Sequence, residues 1–185
     1  GYETRGQRVW LDYVKPFADA TETDAYGNAV AWFNKGGSPR LMLAAHADEI
    51  AMSVNYINDE GYLYVRRMGG IDPAITKAQR IVIHTRNGPV RGVVGNVAIH
   101  LMKLEGEQKP PKIHDLFIDI GVGSRKEAEK LVRIGDPITL ADQFELLRND
   151  LAVARAFDNR IGTFAVAETV RLLGETAKKC NAEVC

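Results

Sequence analysis

The apolar run Leu41, Met42, Leu43, Ala44 and Ala45 leads straight into His46, Ala47, Asp48 and Glu49, so three ionisable side chains sit within four positions. Such a run reads as a buried strand over residues 41–45, delivering those groups to its carboxyl end, where open α/β sheets place their sites. Side chains alternate along extended chain, which puts His46 and Asp48 on one face and Glu49 on the other. Neutral imidazole is the commonest metal ligand, and a carboxylate beside it can fix its tautomer or offset the charge of a metal. The same His-x-Asp pattern describes a hydrogen-bonded structural pair, and spacing alone leaves both readings open. A further carboxylate, Asp158, follows the apolar-rich stretch 152–157 and opens a helix. It is either an N-cap or a metal ligand near the helix's positive end. Asn159 and Arg160 then serve as capping residues or as groups that orient a ligand. Glu49 is a candidate general base, though on the wrong face to share a site with His46 and Asp48.

Other chemistry is harder to build. His84 and His100 fall in predicted strands and read as structural histidines, and His114 falls in an exposed loop. The glycines at 92, 95, 121 and 123 do not form a dinucleotide-binding fingerprint. No serine sits in a nucleophile elbow.

The elements that must position these residues follow from periodicity. Trp10, Tyr13, Val14 and Phe17 lie at i, i+3, i+4 and i+7, one face of a helix stopped near Pro16. Residues 23–28 are turn chemistry, 29–33 read as a strand, and 35–39 as a second turn. Beyond Ile50 short strands alternate with tight turns. Residues 52–57 and 62–67 flank one hairpin signal, and 80–85 and 90–97 flank another. Residues 69–73 read as a loop, as does the polar stretch 101–114 with its two prolines. Residues 116–120 and 138–140 add strands, and Ser124 with Glu127 is a capping box opening a short helix to about Val132. Many short strands at regular spacing predict a small β-barrel or sandwich over 54–150. The chain then returns to helix from Asn159 to about Lys178, with Lys178 and Lys179 placed at its negative end. The expected architecture is α/β, with a discontinuous catalytic-type layer (1–53 and 151–185) interrupted by a β-barrel-like insert (54–150).

Composition narrows the partners. The 185 residues are 45% hydrophobic with a formal net charge of zero, enough for a sizeable core but without the basic excess that nucleic acid demands. No run is long enough for a membrane span, and no signal peptide is visible. The two cysteines, Cys180 and Cys185, make neither a disulfide framework nor a CxxC motif, as expected for reduced cytoplasmic thiols. The absence of an initiator methionine, and a last stretch that reads as the start of a strand, give the expectation that both ends are cut.

Taken in order, several segments resemble one family, the tetrahedral (TET), glutamyl or deblocking aminopeptidases, which are dinuclear metallopeptidases. They are Gly1-Tyr-Glu3, Asp24-Ala-Tyr-Gly-Asn28, Ala45-His-Ala-Asp-Glu-Ile50, Gly69-Gly-Ile-Asp72, Arg91-Gly-Val-Val-Gly95 with His100-Leu101, Asp119-Ile-Gly121 with Ser124-Arg125 and Glu127-Ala-Glu129, Gly135-Asp-Pro137, and Ala156-Phe-Asp-Asn-Arg-Ile-Gly162. The resemblance implies removal of N-terminal residues from peptides. It implies that His46 binds one metal, that Asp158 bridges two, and that Asp48 is the catalytic accessory carboxylate. It also implies zinc or cobalt as the ions and a homo-oligomer built from dimers to a dodecamer. Ala51 replaces the family's glycine after Asp-Glu-Ile. The family's Glu-Glu pair, one the general base and the other a ligand, and its later Asp and His ligands do not occur in these residues, so two expected ligands are present and the chain alone is expected to be inactive. A non-catalytic assembly module derived from the same family is the alternative. A glycosidase would need a carboxylate pair across a sugar cleft, which nothing singles out.

Overall fold

Contacts divide the chain into two units, Gly1–Glu49 with Ala156–Cys185, and Ile50–Arg155. The computed structural model describes residues 2–98, 111–176 and 180–185. His100, Lys178, Lys179 and most of the predicted 101–114 loop lie outside the described residues.

The second unit is built on a closed six-stranded barrel. Its strands are β4 (Ala51–Ile57), β5 (Leu63–Met68), β6 (Arg80–Thr85), β7 (Gly88–Gly95), β8 (Phe117–Asp119) and β9 (Pro137–Leu140). They run in the order β4-β5-β8-β7-β6-β9, every neighbour antiparallel, with β9 returning to β4. Closure removes the open edges that a short-stranded sheet would otherwise expose. Period-two alternation sends Leu63 and Val65, Ile81 and Ile83, and Ile118 and Ile138 into one interior. In β4, Met52 and Val54 point inward, and a bulge between Val54 and Tyr56 resets the phase so that Ile57 follows them. The β4–β5 turn is locked by Asn58, whose Oδ1 accepts the Tyr62 N–H at 2.8 Å. Gly61 there has φ +91°, a backbone state that favours glycine.

Three short elements frame the barrel. The predicted loop 69–73 turns into helix α2 (Pro73–Thr76), because Asp72 caps it through the Ala74 N–H at 2.8 Å and proline suits its first position. Helix α3 (Arg125–Leu131) is capped by Ser124, whose hydroxyl accepts the Glu127 N–H. The Glu127 carboxylate reaches Gly123 N–H, one residue earlier than a reciprocal capping box requires. Ala128 and Val132, one turn apart, close the barrel core. A hairpin of β10 (Glu145–Leu146) and β11 (Ala152–Val153) completes the unit.

The first unit contains helix α1 (Thr4–Val14), the hairpin β1 (Ala20–Thr23) and β2 (Ala29–Trp32), β3 (Arg40–Leu41), helix α4 (Phe157–Glu175) and β12 (Glu183–Val184). Helix α1 packs Trp10, Val14 and Phe17 with Ala31, Ala167 and Val170. Pro16 has no N–H to extend the helix further. Tyr13, from the same sequence stripe, is 40% exposed and donates its hydroxyl to Glu168 on α4. Helix α4 ends at Glu175 rather than near Lys178. The Thr176 hydroxyl and N–H both take the Leu172 carbonyl, and Thr176 is extended.

The strand predicted over 41–45 is shorter and more open than its apolar run suggests. Only Arg40 and Leu41 enter a ladder, parallel to β12 in the register Arg40–Glu183 and Leu41–Val184. One further bond joins Leu43 N–H to the Cys185 carbonyl at 2.8 Å. Leu41 and Met42 are 50% and 73% exposed. On the other side of β12, Val184 bridges Phe33 antiparallel, so the small sheet is mixed.

Ile118→Ala should cost about 2–4 kcal/mol, the usual penalty for emptying a closed core, read as a lower urea midpoint. Glu168 bears on acid stability. Its carboxyl is held below the ordinary glutamate value by hydrogen bonds from Arg171, then from Tyr13. A depressed acid contributes stability above its unfolded value and loses it as pH falls through the lowered folded value. Glu168→Gln should therefore flatten that part of the acid limb in pH-dependent melting, and an unchanged profile would dismiss the link.

Candidate metal site

Residues 42–50 adopt no regular secondary structure, so side chains rather than a ladder define the path of the chain beyond β3. His46 Nδ1 lies 3.0 Å from Asp48 Oδ1, and His46 Nε2 lies 3.2 Å from Asp158 Oδ1. His46 and Asp48 are thus in direct contact. With Nδ1–H donating to Asp48, the neutral ring presents the Nε2 lone pair to the Asp158 carboxylate. Two electron-pair donors then face each other and call for a cation between them, either a proton or a metal.

The separation suits a metal. Ligands at about 2.0–2.1 Å in a tetrahedron stand about 3.3 Å apart, close to the 3.2 Å found between Nε2 and Oδ1. The pair is also accessible, with side-chain exposures of 56% for His46 and 95% for Asp158. Asp48 is spent on the opposite ring nitrogen and does not converge on the same point. Accordingly, no group of three or more His, Cys, Asp or Glu side chains able to hold a metal occurs among the described residues.

The start of α4 explains why Asp158 is available. Ala156 is left-handed at φ +64°, and Asp158 and Asn159 have non-helical dihedrals. The regular helix therefore begins after Asn159. Its cap is Asn159, whose Oδ1 accepts the Gly162 N–H at 3.1 Å. The capping role that sequence offered to Asp158 belongs to its neighbour.

Arg160 and Glu49 are the less defined candidates. Arg160 Nε donates to the Ala47 carbonyl at 3.2 Å, and its Nη2 pairs with Glu49 Oε1 at 3.0 Å. The Glu49 side chain is 13% exposed. Sequence reasoning names both residues but does not pair them, because nothing in one dimension joins position 49 to position 160. His84 has a structural partner, its Nε2 standing 2.9 Å from the Thr139 hydroxyl. His114 lies in a short 3₁₀ turn (Ile113–Asp115), 70% exposed and beside Asp115.

A family model described as M42 glutamyl aminopeptidase matches residues 27–185. A lysyl aminopeptidase of Pyrococcus furiosus is 38% identical over 179 residues, covering 95% of this chain and 51% of that protein. The crystal structure of a TET aminopeptidase from a marine-sediment Thaumarchaeota archaeon superposes with a TM-score of 0.94 at 32% identity, covering all of this chain and 52% of that one. A Pyrococcus horikoshii TET peptidase, which can assemble into a tetrahedron or a large octahedral shell, matches with a TM-score of 0.85 at 32% identity, over 100% of this chain and 55% of its own. The chain therefore spans about half the length of these relatives.

The cap at α4 can be tested through its glycine. A Cβ at Gly162 would fall well inside contact distance of Asn159 Oδ1. Gly→Ala inside a helix normally stabilises by up to about 1 kcal/mol, but here Gly162→Ala should destabilise by about 1 kcal/mol or more, the worth of a lost cap. In an Asn159→Ala background the same change should become neutral or stabilising in urea melts.

Proposed function

The chain belongs to the M42 glutamyl aminopeptidase family, and from that premise we propose that it carries part of the metal site of an aminopeptidase acting on the N-termini of peptides. The observation that carries this reading is the pair of facing donors, His46 Nε2 and Asp158 Oδ1, 3.2 Å apart. These two residues would hold the ion, zinc or cobalt, and Asp158, exposed and not used as a cap, would bridge to a second. A divalent ion held there supplies Lewis acidity to the scissile carbonyl.

The chain's own residues have separable roles. Asp48 keeps the proton on His46 Nδ1 and so leaves Nε2 free as a donor. Glu49, paired with a guanidinium 3.0 Å away, is poorly placed to accept a proton from a nucleophile. The family resemblance instead assigns that role, and the remaining ligands, to sequence outside these 185 residues. A catalytic zinc ordinarily uses three protein ligands and an open position. Two donors predict weak metal affinity and no useful turnover by these residues alone.

The barrel unit is proposed as the assembly and substrate-access part, and the protein as a homo-oligomer, from dimer up to dodecamer. The TET relatives that form closed shells support this. Among the described residues no helix is long and apolar enough to cross a membrane. Free Cys180 and Cys185 accord with a reducing cytoplasmic setting.

Zinc titration of the 185-residue chain, with aminoacyl-nitroanilide and short peptide assays in parallel, tests the reading. His46→Ala and Asp158→Ala should each weaken zinc binding at least tenfold, and Asp48→Asn by about ten- to a hundredfold. Turnover should be absent in this chain. In a full-length member of the family it should be present and lost on chelation. Zinc binding untouched by either ligand variant would refute the metal site. Metal-dependent turnover by the 185 residues, abolished by His46→Ala, would show that the site is complete without further donors.

A further inference from the structure

The two facing donors stand on backbone that no regular element holds. His46 lies in the irregular segment 42–50. Asp158 lies before the regular part of α4, at non-helical dihedrals. A contact that joins these two segments bears directly on the separation of the two donors.

Arg160 makes that connection. Its backbone N–H takes the Ala156 carbonyl at 3.1 Å, which fixes the turn containing Asp158. Its side chain crosses to the other segment, with Nε on the Ala47 carbonyl at 3.2 Å and Nη2 on Glu49 Oε1 at 3.0 Å. Ala47 and Glu49 flank Asp48, and Ala47 adjoins His46. One guanidinium thus grips the His46 segment at two points with a rigid planar fork, while its own backbone sits two residues from Asp158. The Glu49 carboxylate that receives it is 13% exposed, while the Arg160 side chain is 45% exposed.

We infer that Arg160, acting with Glu49, is a positioning residue that sets the spacing of His46 and Asp158 for a metal ion. This inference rests on the metal reading proposed above and adds to it a strut that touches neither the metal nor the substrate. Glu49 thereby gains a role as the anchor of the guanidinium. The fork geometry makes the position selective for arginine, because one ammonium nitrogen cannot replace two donors arranged in a plane.

The test uses the 185-residue chain labelled with ¹⁵N-histidine. His46 ring signals are followed by NMR through a zinc titration and assigned by their loss in His46→Ala. His84 and His114 report whether the fold and bystander histidines stay unchanged. Outer partners of metal ligands typically contribute ten- to a hundredfold in affinity. Arg160→Lys should therefore weaken zinc at His46 at least tenfold while the His84 and His114 signals hold. Glu49→Gln, which keeps an acceptor for the guanidinium, should recover part of what Glu49→Ala loses. In the metal-free chain, the His46 ring signals should shift in Arg160→Lys while those of His84 and His114 hold.

Wild-type zinc affinity in Arg160→Lys, with His46→Ala impaired, would overturn the strut and leave the metal site standing. Zinc that perturbs His46 in neither the wild type nor the variants would remove the metal reading, and the strut's assigned purpose with it. Loss of the His84 and His114 signals in Arg160→Lys would show a residue needed for general folding, which also overturns the assignment. In that case Glu49→Gln, milder in its structural demand, should likewise fail to recover binding.

Discussion

A buried carboxylate constrains the first unit. Glu183 is 4% exposed, and an ionised group so placed is costly unless it is paired and hydrogen-bonded. It accepts the Gly36 N–H at 2.5 Å and pairs with Arg40 Nε at 2.8 Å. Those partners lie on either side of the turn that precedes β3, so satisfying the charge fixes that turn against β12. Asn34 adds two bonds, to the Cys180 and Ala182 carbonyls at 2.9 and 3.1 Å. At Gly37 a Cβ would run into the Asn181 carbonyl, so only glycine lets the two backbones meet. The direction in which β3 leads toward His46 is inherited from this junction.

Around His46 the chain is irregular, and side-chain contacts orient it. This is a common condition at reactive sites, where the groups that do chemistry sit on irregular chain positioned by a rigid scaffold. Here His46 is oriented by Asp48 on one nitrogen and faces Asp158 with the other. Helix α4 contributes through a division of labour between adjacent residues. Asn159 satisfies one of the helix's first donors, the Gly162 N–H, which leaves Asp158 to face outward.

The barrel solves a different problem. Strands of three to eight residues cannot bury enough surface as an open sheet, but closing six of them on one another joins all their inward side chains in one core. A single bulge in β4 keeps that interior apolar where strict alternation would have turned Tyr56 inward. Tyr56 instead lies outside, 47% exposed, with its hydroxyl accepting from Arg125 Nη2 at 3.0 Å. The charged face and the apolar interior therefore come from the same strand.

Much of this is legible in one dimension. The hairpin signals near Asn58 and Asn87, the capping serine at 124, the α1 stripe and the α/β layer with a barrel-like insert all depend on local chemistry that neighbouring residues decide. His46 and Asp48 are also legible as a pair, because a two-residue spacing on extended chain determines a common face. Other features depend on partners far along the chain. The run 41–45 reads as buried from its composition, yet burial is set by what packs on it, and Leu41 and Met42 are 50% and 73% exposed. The capping role goes to Asn159 rather than Asp158 because non-helical dihedrals delay the helix by one position, and composition does not encode that delay. The meeting of His46 with Asp158, and of Glu49 with Arg160, crosses more than a hundred residues. Residue types and local periods come from the sequence, whereas the 3.2 Å between two donors exists only once the tertiary structure brings the end of one strand to the start of one helix.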